Sequence, residues 1–138
     1  MGHEAISIHM KELAAVRFVE RKSKFYAHLY EVKSEVDIES ILKRHRKDYK
    51  KAVHHCYGAR IRENGNVREI SKDDGEVGHP GKVLLDLLRH EELDSHVLMV
   101  SRIFGGRKLG VGGVSRAFKD AGKGVLDHYL KNVISTDS

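Results

Sequence analysis

Five of the nine residues from 105 to 113 are glycine, within the run Arg102-Ile103-Phe104-Gly105-Gly106-Arg107-Lys108-Leu109-Gly110-Val111-Gly112-Gly113-Val114-Ser115-Arg116. Glycine loses more backbone freedom on folding than any other residue. A chain keeps such a run where its backbone must turn through positive φ or approach another group closely. Ahead of it stands Val97-Leu98-Met99-Val100, the continuous apolar stretch expected of a central strand covered on both faces. Behind it, Val114, Phe118, Ala121 and Val125 recur at helical spacing. The run therefore reads as a strand-to-helix connection, with the last helix starting near Gly112 and breaking or kinking at Gly122 and Gly124. Amides at a helix start with cations nearby suit an anion. The candidate anion or nucleic-acid site is Arg102, Gly105, Gly106, Arg107, Lys108, Gly110, Gly112, Gly113 and Arg116. The structural alternative is a tight turn packed on a neighbouring element. The spacing fits neither a phosphate-binding P-loop nor a dinucleotide fingerprint.

The remaining pattern supplies the partners of that connection. Val16 and Phe18, then Phe25, Ala27 and Leu29, alternate around a polar Arg21-Lys22-Ser23 break, which predicts strands over 14–21 and 24–33 forming a hairpin. Ser34 precedes Asp37 by three, and Ile38, Ile41, Leu42 and His45 continue at helical spacing, which predicts a helix over 35–48. Asn64-Gly65 between two extended runs is a strong hairpin signal. Leu84, Leu87 and Leu88 form one apolar face of a helix over about 81–92. The order ββαββαβα predicts an α+β fold, a mostly antiparallel sheet with helices packed on one face. At 138 residues the chain is expected to be a single domain, with a loose lead-in over 1–12 and a tail over 132–138. With 40% apolar and 33% charged residues and one Pro, collagen-like and low-complexity classes are excluded. No apolar run is long enough to span a membrane. Cys56 is the only cysteine, so no internal disulfide can form, and a reducing cytoplasm is the expected location.

Charge is unevenly spread. Lys43, Arg44, Arg46, Lys47, Lys50 and Lys51 stand against Asp48 alone, so this stretch carries as much excess charge as the whole chain, +5. It reads either as a phosphate-facing patch or as a helix C-terminus whose cations complement the macrodipole. Asp73, Asp74, Gly75 and Glu76 form an acidic turn, able to hold hydrated Mg²⁺ or to orient the glycine segment by hydrogen bonds. His54-His55-Cys56 looks like a metal site until strand alternation is applied. His54 and Cys56 then share a face from which His55 is excluded. Two ligands are too few for structural zinc, so no metal site and no cofactor are expected, and Cys56 reads as a small buried residue.

His-His-Cys, then Asp-Asp-Gly-Glu, then Arg-x-Phe-Gly-Gly-x-x-Leu-Gly-x-Gly-Gly-x-x-Arg-Ala-Phe together resemble the YigZ/Impact family over about residues 14–121. The resemblance implies the Impact N-terminal domain fold, similar to domain 2 of ribosomal small-subunit protein five and to a domain of translocating elongation factors. It also implies a translation-related role. Bacterial members carry a further ferredoxin-like domain, and a chain of 138 residues is expected to end before one. The family's usual Pro-Ser-Gly-Thr-Ala-Gly-Lys-Pro after the acidic turn is here Val77-Gly78-His79-Pro80-Gly81-Lys82-Val83, one residue shorter and without a hydroxyl.

Two function classes follow. The first is a non-enzymatic module binding RNA or a ribosome-associated protein. Arg102, Arg107, Lys108 and Arg116 then meet phosphates while the acidic turn orients their loop. The alternative is an enzyme acting on a phosphorylated or nucleotide substrate through the glycine-rich loop, with Mg²⁺ on Asp74 or Glu76 and Lys108 on a phosphate.

Overall fold

Two hairpins with two-residue loops start the sheet at opposite edges. The computed structural model describes residues 10–137. Strands β1 (Lys11–Glu20) and β2 (Ser23–Glu31) are joined through Arg21 and Lys22, at φ 45° and 66°. Strands β3 (His54–Glu63) and β4 (Asn66–Lys72) are joined through Asn64 and Gly65, at φ 49° and 81°. Positive φ at both central positions matches the turn to the twist of its strands. Helix α1 (Glu35–Asp48) follows β2, and the Asp37 carboxylate accepts the Lys33 and Ser34 amides at 2.7 and 3.2 Å, holding its first turn. Helix α2 (Pro80–His90) and strand β5 (His96–Ile103) follow, then helix α3 (Gly110–Asp137).

All strand pairs are antiparallel, in the order β1-β2-β5-β3-β4. The α+β class and the element order are those expected, and β5 occupies the centre. Paired on both edges, β5 extends beyond its apolar run to eight residues. The helices are distributed differently from the one-face expectation. Phe25, Ala27, Leu29, Cys56, Leu98 and Val100 pack with α2 and α3, whereas Tyr30, Tyr57, Ala59, Val97 and Met99 pack with Ile38, Ile41 and Leu42 of α1. Alternation along β2, β3 and β5 supplies apolar groups to both sides, so α1 covers the face opposite α2 and α3.

Helix α3 starts at Gly110 rather than Gly112 and runs unbroken through Gly122 and Gly124. Packing overrides propensity there: a Cβ on Gly122 would sit 2.7 Å from Leu87 Cδ1 and 3.0 Å from Leu84 Cδ2, at the α2–α3 crossing. Residues 1–9 of the expected lead-in lie outside the described residues, while Lys11 and Glu12 already pair within β1. The expected tail from 132 continues α3 to Asp137. No described helix is long and apolar enough to cross a membrane.

Gly58 lets α2 lie directly on β3, because any Cβ there would overlap the Leu85 backbone nitrogen. Neither backbone can rotate away as a side chain can. Gly58→Ala is expected to destabilise by about 1–3 kcal/mol, read as a lower urea midpoint at unchanged slope. An unchanged midpoint would show that α2 has room to move outward.

Candidate functional site

The segment from Phe104 to Leu109 connects β5 to α3 at the end of the sheet where β2 and β3 begin. Gly105 has no room for a Cβ, which would overlap the Lys22 backbone, and its N–H donates to Ser23 Oγ at 3.2 Å. That glycine ties the loop to the β1–β2 turn. Gly106, Arg107, Lys108, Gly110, Gly112 and Arg116 are exposed, and Gly113 is half-buried. The Arg116 guanidinium lies over the first turn of α3, 3.3 Å from where a Cβ on Gly112 would stand. The first amides of a helix have no intrahelical acceptor and carry its positive pole. Arg107, Lys108 and Arg116 therefore surround a positive backbone end.

Arg102 is placed apart from this group. Its side chain is 7% exposed, and Nη1 donates to Glu76 Oε2 at 3.0 Å, with the Glu76 side chain 4% exposed. Its guanidinium carbon lies 5.6 Å from the Phe25 ring centroid and 5.7 Å from that of Phe104. The expected outward contact with phosphate is not what this geometry offers. A guanidinium buried between two rings needs a counter-charge beside it, and Glu76 is that charge. Arg102 thus positions the loop from beneath.

Each carboxylate of the acidic turn holds backbone or an internal cation. Asp73 Oδ1 accepts the Gly81 amide at 2.9 Å, in the first turn of α2, and Asp74 Oδ2 accepts the His55 amide at 2.8 Å. Glu76 pairs with Arg102 and lies 3.7 Å from His54 Nε2, while His54 Nδ1 bonds the Asp74 carbonyl at 2.7 Å. Asp74 and Gly75 turn the chain through φ 52° and 80°. In the shortened stretch that follows, Gly78 packs against the Val111 carbonyl of α3, and His79 approaches Asp73 at 3.6 Å. The turn thereby joins β3, α2, β5 and α3. No group of three His, Cys, Asp or Glu placed for a metal occurs among the described residues.

His54 faces Glu76 on the same side of β3 as Cys56, which is fully buried and donates to the Asp73 carbonyl at 3.1 Å. Burial, then the charges of Glu76, Asp74 and Asp73, push the Cys56 thiol well above its ordinary range. A thiolate nucleophile is disfavoured there. His55 points to the opposite face and bonds Ser101 Oγ at 2.7 Å.

The six cations of the 43–51 stretch, Lys43, Arg44, Arg46, Lys47, Lys50 and Lys51, are all exposed, and Arg44 pairs with Asp48 at 3.8 Å. The chain then runs beside the end of β5, where the Val53 amide donates to the Arg102 carbonyl at 2.9 Å. The two basic segments, distant in sequence, thus flank one end of the sheet, with the exposed Arg21 and Lys22 of the β1–β2 turn beside them. Beside the glycine segment a groove of about 430 Å³ is lined by Val53, Val77, Phe104, Lys108 and Val111 among others.

Two features escape a reading by charge and spacing. Tyr49 stands within the basic stretch and stacks on Tyr26, ring centroids 4.4 Å apart and planes 23° apart. Counting charges over 43–51 passes over this aromatic, although it is plain in the sequence. A polar network also lies under α1: Tyr30 hydroxyl with His45 Nε2 at 2.8 Å, His45 Nδ1 with Ser101 Oγ at 2.8 Å, and Ser101 with His55. Beside it His28 bonds Tyr49 Oη at 2.6 Å and Glu12 at 2.5 Å. Alternate positions on β2 supply His28 and Tyr30, but nothing local shows that they meet α1.

An Impact N-terminal domain profile matches residues 21–126. The chain is 31% identical over 119 residues to the IMPACT family member YvyE of Bacillus subtilis, covering 86% of this chain and 55% of that protein. It is 38% identical over 98 residues to the IMPACT family member in the pol 5′ region of Thermus thermophilus, covering 71% and 51%. Identity to the Protein IMPACT homolog of Dictyostelium discoideum is 38% over 95 residues, covering 66% and 27%. The chain thus spans about half the length of the bacterial relatives. Among solved structures, the crystal structure of a hypothetical protein superposes with a TM-score of 0.74 at 25% identity, covering 88% of this chain and 61% of that one. The two-domain translational regulator Yih1 shares the fold, with a TM-score of 0.57 at 24% identity, covering 86% and 46%.

Proposed function

The chain belongs to the Impact family, and from that premise we propose that it is a non-enzymatic, translation-related module whose basic end binds RNA. One observation carries the reading: the 43–51 stretch leads, through the Val53 amide on the Arg102 carbonyl, to the end of β5 from which the 107–116 segment departs, so both basic segments stand at the same end of the sheet, on opposite faces. Cations gathered from two elements present a broad field to a polyanion. The description of Yih1 as a translational regulator adds support by family likeness, and such work would place the chain in the cytoplasm. Arg107, Lys108 and Arg116 meet phosphate, the exposed Gly106, Gly110 and Gly112 and the half-buried Gly113 let backbone approach it, and Asp73, Asp74, Glu76 and Arg102 hold the loop.

Titration of a structured RNA followed by fluorescence anisotropy tests this. Affinity should fall steeply between about 50 and 200 mM salt. Lys50→Glu and Lys108→Glu should each lower the slope of log affinity against log salt by about one. Equal retention on RNA and on an uncharged matrix at low salt would remove the reading.

A second reading, a ribosome-associated protein partner, draws on Val53, Val77, Phe104 and Val111, which are exposed together around the groove. Such a partner would keep its affinity as salt rises and lose it with Phe104→Ser. The Mg²⁺-dependent enzyme alternative asks Asp74 or Glu76 to leave the His55 amide or Arg102. Thermal-shift measurements with millimolar nucleotide and Mg²⁺ address it, and stabilisation would favour it.

A further inference from the structure

We propose that the stacked pair Tyr26–Tyr49 is a base-stacking platform, so that the basic end takes single-stranded RNA with an unpaired base against these rings. This rests on the RNA reading above and adds the kind of RNA and the place of the base. Both tyrosines line a groove of about 370 Å³, together with Lys47, Lys50, Lys51 and Ile103. That volume lies within the range of small-ligand pockets, ~300–1,000 Å³. The three lysines are exposed, so phosphates on either side of a base seated in the groove would meet cations. Asp48 also borders the groove, and its charge is already opposed by Arg44 at 3.8 Å.

The platform is built before any ligand arrives. Tyr49 is held by its stacking on Tyr26 and by the bond from its hydroxyl to His28 Nε2 at 2.6 Å. His28 is in turn fixed on Glu12. A ring already locked in place loses little rotamer freedom when a base stacks on it. Every base has a π-face, so aromatic rings beside lysines make a sequence-tolerant single-strand site. A duplex keeps its bases stacked on one another and offers none.

The test compares a short oligoadenylate with an abasic strand of the same length and charge. The wild-type protein should bind the oligoadenylate about 5- to 100-fold more tightly. The Tyr26→Leu/Tyr49→Leu variant should lose most of that ratio, and Tyr49→Phe, which keeps the ring, should retain it. The chain has no Trp and five Tyr, so tyrosine emission gives a second readout. Oligoadenylate should quench it in the wild type, and the abasic strand should not. Equal wild-type affinity for the two strands overturns the platform while leaving RNA binding in place. Binding of neither strand, nor of structured RNA, overturns both.

Discussion

Arg102→Ala is expected to lower stability by about 3–5 kcal/mol, because it strands a buried carboxylate. The Glu76 side chain is 4% exposed and pairs with Arg102 at 3.0 Å, and the nearest other cation-forming group is His54 Nε2 at 3.7 Å. The guanidinium also fills the space between the Phe25 and Phe104 rings, so truncation removes packing along with charge. Replacing both members, Arg102→Met with Glu76→Met, should recover most of the loss. Apolar groups of similar volume need no counter-charge. Urea unfolding of the two single variants and the double variant forms a cycle whose coupling should be the largest in the molecule. A loss below about 1 kcal/mol for Arg102→Ala would show that Glu76 reaches water, and that the loop is not held from beneath.

This pair also shows where sequence reasoning stops. The spacing of α1, the Arg21-Lys22 and Asn64-Gly65 turns and the His54/Cys56 alternation are local, set by residues within a few positions of one another. They were legible. Whether Arg102 faces solvent depends on Glu76, 26 residues away, and on Ser23, 79 residues away. The insertion of β5 between β2 and β3 is likewise long-range. That insertion puts the 43–51 stretch at the same end of the sheet as the glycine segment and sets Ser101 between His45 and His55. Gly122 misled for the same reason, since its helix penalty is local while the Leu84 and Leu87 side chains that exclude a Cβ come from α2. The glycine run was visible as a loop needing close approach, but only the fold separates Gly105, pinned on the β1–β2 turn, from exposed Gly106 and Gly110.

Acidification from pH 7 to pH 5 is expected to remove about 2 kcal/mol of stability through His45 alone. Burial, then the neighbouring charges of His28, His55 and Arg44, lowers its pKa from 6.5 to about 3. In the unfolded chain the ring titrates normally, so between these values the unfolded state binds the extra proton. Stability is therefore complete above about pH 6.5 and declines as pH falls towards the folded value. His55 is lowered too, by burial first, with the Asp74 charge opposing it, which steepens the same window. The bonding explains why protonation is resisted: a charged His45 would donate from both nitrogens, forcing the Tyr30 and Ser101 hydroxyls both to accept. Urea midpoints at pH 7.5, 6.5, 5.5 and 5.0 would trace the decline, most of it above the range in which ordinary carboxylates protonate. In His45→Leu the Tyr30 and Ser101 hydroxyls each lose one partner, Ser101 keeping His55, so the variant should be less stable at pH 7.5 yet flatter against pH. A slope matching that of the wild type would assign the decline to other groups and leave His45 outside the acid response.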